Sequence, residues 1–157
     1  MFTFKKWQTQ LLQVLCGLYL LCVAYICFTP RFPVSVQLGS YPDLHALTYG
    51  HASIVYLPLI ELGTLGFWLN VVMTMPLGGF ISLLNRRYLS FWQVLGIGLL
   101  TGLFIEMGQF FLDNWLNFQR TVDVNDVMSN LIGVVIGYYI VRYGEGRIYK
   151  WLKSFKS

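Results

Sequence analysis

The chain has 157 residues, of which 56% are hydrophobic, 17% aromatic and only 11% charged. Soluble domains carry about 25% charged residues, so this chain lacks the polar surface to face water and falls in the membrane class. Its net charge of +4 and pI near 9.0 need no nucleic-acid partner if the basic residues sort by membrane side.

Lys5 and Lys6 precede the first apolar run, and Trp7 to Pro30 then carries no charge over 24 residues. A helix crosses the roughly 30 Å hydrocarbon core with about 20 residues, so a span is expected over about 9–28. The basic start resembles a signal peptide. No small-residue cleavage site follows, however, and a retained anchor is expected. Cys16, Cys22 and Cys27 lie inside it, and their spacing fits neither a metal site nor a disulfide framework.

A first outer loop is expected over about 29–65. His45 and His51 in "HALTYGH" do not have zinc-site spacing and read as polar loop residues, so no metal or cofactor is expected. The later part, "ASIVYLPLIELGTLG", is apolar enough to lie in the interface or to re-enter the membrane as a helix.

The second span (about 66–84) lies within the uncharged stretch from Leu62 to Asn85, with Pro76 expected to bend it near its middle. Arg86 and Arg87 follow. The third span (about 90–112) lies within Tyr88 to Leu112, where Glu106 is the single charge. A short outer loop (about 113–125) leads to the fourth span (about 126–143). Its uncharged centre, Val127 to Val141, has only 15 residues, so it must tilt, snorkel or thin the bilayer. A cytoplasmic tail is expected over 144–157.

Orientation follows from the basic residues. Lys5, Lys6, Arg86, Arg87, Arg142, Arg147, Lys150, Lys153 and Lys156 share one side, leaving Arg31 and Arg120 on the other. The positive-inside rule therefore places both termini in the cytoplasm. Asp43, Glu61, Asp113, Asp123 and Asp126 fall outside. Acids contribute little to insertion, so an outward polar site is the more natural source of that bias. Aromatic residues mark both interfaces, among them Trp7, Tyr88, Trp92 and Trp151 inside and Phe28, Phe67, Trp68, Phe111 and Trp115 outside. The reading is a single all-α integral membrane domain of four transmembrane helices.

Helical spacing sorts the polar residues into stripes. Asn70, Thr74, Gly78 and Ser82 share one face of the second span; Gly98, Gly102, Glu106 and Gln109 one face of the third. Asp126, Asn130, Gly133 and Gly137 share one face of the fourth. Such stripes serve helix packing, because small residues let backbones approach and amides bond between helices. Glu106 asks for more, since a charge in mid-span costs at least ~2.5–3.5 kcal/mol and less near the interface. It either pairs structurally, with Arg120 or Asn130, or belongs to a site. In "QRTVDVNDVMSN", Asp123 suits a helix N-cap and Asp126 its first turn. The short fourth span also draws Asp126 and Asn130 toward Glu106 and Gln109.

Taken in order, these residues resemble the VanZ-like membrane protein family from about Leu69 to Gly137. The elements are Asn70, Pro76, Leu77 and Gly78; then Ile105, Glu106 and Gln109; then Arg120, Asp123, Asp126, Asn130, Gly133 and Gly137. Thr74 stands where the family often has Phe, and "YLPLIEL" matches the family's preceding element poorly. The resemblance implies a bacterial multi-pass protein of the plasma membrane. It also implies a link to resistance against teicoplanin, a lipoglycopeptide that binds cell-wall precursors at the outer face. It implies no reaction.

Three functions are expected to compete. Asn70, Glu106, Gln109, Arg120, Asp123, Asp126 and Asn130 would form an outward site for an amine, sugar or amide of a lipid-linked wall precursor or a lipoglycopeptide. Alternatively, Glu106, Asp123 and Asp126 would serve an enzyme as acid and base or hold a divalent cation. The third possibility is a structural or partner-binding bundle, with Pro76, Gly78, Gly98, Gly102, Gly133 and Gly137 as packing residues.

Overall fold

The computed structural model describes residues 4–29, 46–85, 87–116 and 121–154. Four helices carry the chain: α1 (Lys6–Phe28), α2 (Leu65–Leu84), α3 (Phe91–Leu116) and α4 (Val124–Ser154). Each is long and apolar enough to cross a membrane, α4 over Val124–Glu145. The helices alternate in direction, so both termini lie at one end of the bundle (the terminal end). The connections from α1 to α2 and from α3 to α4 lie at the other (the loop end).

In the apolar stretch that could lie in the interface or re-enter as a helix, the chain instead begins with a strand. β1 (Ala46–Tyr49) and β2 (Ala52–Val55) pair antiparallel, and β3 (Thr121–Asp123) joins β2 in parallel, so the order is β1-β2-β3. The reason is local. "ALTY" and "ASIV" are β-formers separated by two residues, and the first of these, Gly50, adopts φ +64°, which closes a tight hairpin. The Tyr49 ring then stacks on Phe110 of α3 at 6.0 Å. The bundle is thus all-α in its spans, and a small sheet lies at its loop end.

The helices differ in how they pack. In α2 and α4, backbone meets backbone. A Cβ at Gly78 would collide with the Val134 carbonyl, one at Gly133 with Thr74 and the Val71 carbonyl, and one at Gly137 with the Met75 carbonyl. Rising residue numbers match along the seam, so α2 and α4 run parallel. α3 crosses α4 through Gly102, whose Cβ would lie 3.0 Å from the Val127 Cα, and Gly98, 3.1 Å from the Leu131 Cα. α1 stands at the rim: 6% of its span is buried, against 39% for α4.

One further expectation changes. Phe67, expected among the interface aromatics, is fully buried. The helix α4 continues past its candidate span, Val124–Glu145, to Ser154. Arg142 does not terminate the span, because it is buried against Tyr88 and paired with Glu145.

Candidate functional site

The last three turns of α3 bury Glu106, Gln109 and Asp113 on one face at the loop end. Glu106, only 3% exposed, accepts the backbone N–H of Asp123 on Oε2 at 2.8 Å. That bond fixes the end of β3, and Asp123 in turn begins α4. Its Oδ1 accepts the Asn125 backbone N–H at 2.7 Å, the bond an N-cap makes to the second helical residue. The Asn125 side chain, fully buried, donates through Nδ2 to the same Asp123 oxygen at 2.7 Å and to the Leu57 carbonyl at 2.9 Å. One chain of bonds therefore joins α3, β3, α4 and the segment after β2. The carboxylates of Asp123 and of Asp126 in the first turn sit at the positive end of the α4 dipole, which favours negative charge there.

The sequence-predicted residues do not all converge. Glu106 and Asp123 touch through the bond described. Gln109 turns toward α1 and donates from Nε2 to the Cys27 carbonyl at 3.2 Å. Asp126 is half-buried, and its carbonyl accepts from Ser129 Oγ at 3.0 Å. Asn130 belongs to another interface. With Gly102 against Val127 and Gly98 against Leu131, it lies about two helical turns deeper than Glu106. There its carbonyl accepts from Thr74 Oγ1 of α2 at 3.0 Å, and its buried Oδ1 has no hydrogen-bond partner among the described residues. Asn70 is half-buried, one turn before Thr74, and its carbonyl takes the same hydroxyl at 2.9 Å. Arg120 lies outside the described residues.

Some participants escaped the sequence reading. Asn125 stands between two more conspicuous aspartates, although an amide two residues after an N-cap Asp is placed to bond it. Asp113 is buried at 1% exposure, yet read as an ordinary loop acid, because α3 continues one turn further than its apolar run. Next to it, Asn114 accepts the His51 backbone N–H at 3.2 Å and so ties the hairpin turn to α3. Thr74, where the resembled family often has Phe, supplies the hydroxyl that joins α2 to α4.

Electrostatically the loop end is one-sided. Glu61, Glu106, Asp113, Asp123 and Asp126 gather there, with no Lys or Arg among the described residues of that end. Among the described residues, no three His, Cys, Asp or Glu side chains stand close enough to hold a metal ion. The arrangement can neutralise a cation or accept hydrogen bonds from amine, amide and hydroxyl donors. A family model described as VanZ/LLP1 matches residues 16–148. Comparison with curated proteins and with solved structures gives no match.

Proposed function

The chain belongs to the VanZ/LLP1 family, and from that premise we propose that this multi-pass membrane protein binds a cell-envelope ligand at the loop end of its bundle. In this reading both termini are cytoplasmic, the membrane is a bacterial plasma membrane, and the loop end faces outward. Binding there alters the access of teicoplanin-type glycopeptides to their target and so contributes to resistance. The observation that carries the reading is the burial of three carboxylates, Glu106, Asp113 and Asp123, at one end of the bundle. Buried carboxylates are expensive to keep, and packing alone would be served by apolar residues of similar volume. Half-buried Asp126, in the first turn of α4, gives the cluster a reachable edge. An amine or amide of a lipid-linked wall precursor, or of the lipoglycopeptide itself, matches these acceptors, while Arg120 would take a carboxylate or phosphate.

A structural reading is favoured by a different observation. Glu106 holds Asp123, and Asn125 holds Leu57, by hydrogen bonds to backbone groups. One experiment separates the two. A sensitive Gram-positive host expresses the wild type or Glu106→Gln at matched membrane levels, and teicoplanin susceptibility is measured. The glutamine keeps an oxygen for the Asp123 N–H and removes the charge. Lost protection at normal abundance supports the ligand site. Equal protection by both rejects a role for the carboxylate, and protection falling in step with abundance supports the structural reading.

A further inference from the structure

Among the described residues, Arg142 is the one buried cation, at 5% exposure near the terminal end of α4. Its Nη1 lies 3.5 Å from the Glu145 carboxylate. Its Cζ lies 3.3 Å from the centroid of the Tyr88 ring, which covers the face of the guanidinium. The remaining two nitrogens, Nε and Nη2, are buried and have no hydrogen-bond partner among the described residues. Together they form one edge of the planar group, the edge that meets two oxygens of an oxyanion side by side. An unmatched buried N–H is costly, and here two of them are parallel and adjacent.

The surroundings indicate what would match them. Tyr88, Trp92 and Tyr143 are 70% or more exposed at this level, as aromatic residues are at the headgroup region of a bilayer. Arg87 and Arg147 are exposed close by in sequence and add positive potential. The α2–α4 register, with Gly78 against Tyr138 and Gly79 against Val141, brings Ser82 to the level of Val141 and Arg142. The Ser82 hydroxyl is also buried without a hydrogen-bond partner among the described residues. Tyr88 itself lies in the connection between α2 and α3 rather than in a helix, so its ring can turn aside without breaking helical hydrogen bonds.

We propose that the Nε–Nη2 edge of Arg142, with Ser82 as a further donor and Tyr88 as its cover, is a site for a phosphate-type oxyanion at headgroup level on the terminal end of the bundle. It is separate from the loop-end cluster and does not depend on that cluster's role. The Glu145 carboxylate engages the opposite side of the guanidinium and leaves this edge to the anion.

The test uses the purified full chain in maltoside micelles, which contain no phosphate, and follows thermal unfolding by tryptophan fluorescence. Three probes are titrated: short-chain phosphatidylglycerol, short-chain diacylglycerol and inorganic phosphate. The expected result is a saturable rise in unfolding temperature with phosphatidylglycerol and none with diacylglycerol. Arg142→Lys keeps the charge but loses the paired edge, and its half-saturating concentration should rise about ten-fold or more. Arg87→Gln, at an exposed position, should change it by about two-fold or less. Saturation by inorganic phosphate at similar concentrations supports the anion site and makes its source a dissolved ion; saturation by the phospholipid alone makes it a headgroup. The proposal is overturned if neither phosphate-bearing probe stabilises the wild type beyond diacylglycerol, or if Arg142→Lys binds like the wild type. Should that variant fail to fold, the wild-type comparison decides.

Discussion

The seam between α2 and α4 and the attachment of α1 are two different ways of holding helices together in an apolar solvent. Along the seam, glycines bring one backbone onto another over more than two turns, and the hydroxyl of Thr74 bonds across it. α1 has no such seam. It is held at a few side chains: the Tyr19 hydroxyl on the Met73 carbonyl at 2.6 Å, the Gln109 amide on the Cys27 carbonyl, and the Phe28 ring edge-on to Phe104 at 6.4 Å. Lipid is as apolar as leucine, so greasy surface alone gives helices no reason to associate. Close backbone approach and polar ties do, and the two regions divide these means between them. α2, α3 and α4 form the frame that positions the carboxylates, while α1 is a strap fastened at its outermost turn to a residue of the candidate site.

The comparison is broken most directly by adding volume to a glycine on each side. Gly137→Leu drives a side chain into the Met75 backbone, where nothing can yield. It should cost about 4 kcal/mol or more, enough to lose folded protein. Gly17→Leu on α1 meets open space within 4 Å and should stay within about 0.5 kcal/mol. Yield of monodisperse protein and unfolding in mixed micelles would check both. Equal damage from the two variants would mean that α1 packs as tightly as the seam.

Much of this frame was legible in the sequence. Uncharged runs located the spans, and the four-residue recurrence of small residues located the seam faces, since both depend on local composition and helical period. The hairpin does not follow from the apolar content of residues 52–66, because its turn signal, Gly50, lies just before that stretch. Which stripe faces which was also beyond reach. Glu106 and Asn130 sit on neighbouring helices with similar polarity, and only the crossing of α3 over α4 decides that Glu106 meets Asp123 while Asn130 meets Thr74. Arg142 read as a tail cation, since nothing local announces that a tyrosine from another connection will cover it.

A smaller effect is expected where the frame meets the loops. Asn125→Ala removes the bond to the Leu57 carbonyl and one of two bonds on the Asp123 cap. Leu57 then has no Asn125 donor, and the cost should be about 2 kcal/mol. The sheet should loosen before the helices do. Hydrogen exchange would show it as faster exchange in β2 and β3 with α2 unchanged. Uniform acceleration would mean that the loop end and the seam unfold as one unit.

The smallest effect tests the strap itself. Tyr19→Phe deletes the hydroxyl that donates to the Met73 carbonyl. Met73 lies three residues before Pro76 in a helix that runs through the proline. Proline lacks the N–H that would meet the Val72 carbonyl, and its ring crowds the preceding turn, to which Met73 belongs. An interhelical bond of this kind is worth about 0.6 kcal/mol in a membrane, so Tyr19→Phe should be mild when measured by unfolding in mixed micelles. Its meaning comes from a double-mutant cycle. Pro76→Ala restores the donor for Val72 and relieves the crowding of that turn, and in that background Tyr19→Phe should cost less, because the Met73 carbonyl is then better held within α2. If it costs the same with and without the proline, the tie owes nothing to Pro76. α1 would then be fastened to α2 by an ordinary contact, and Pro76 would serve only the shape of α2.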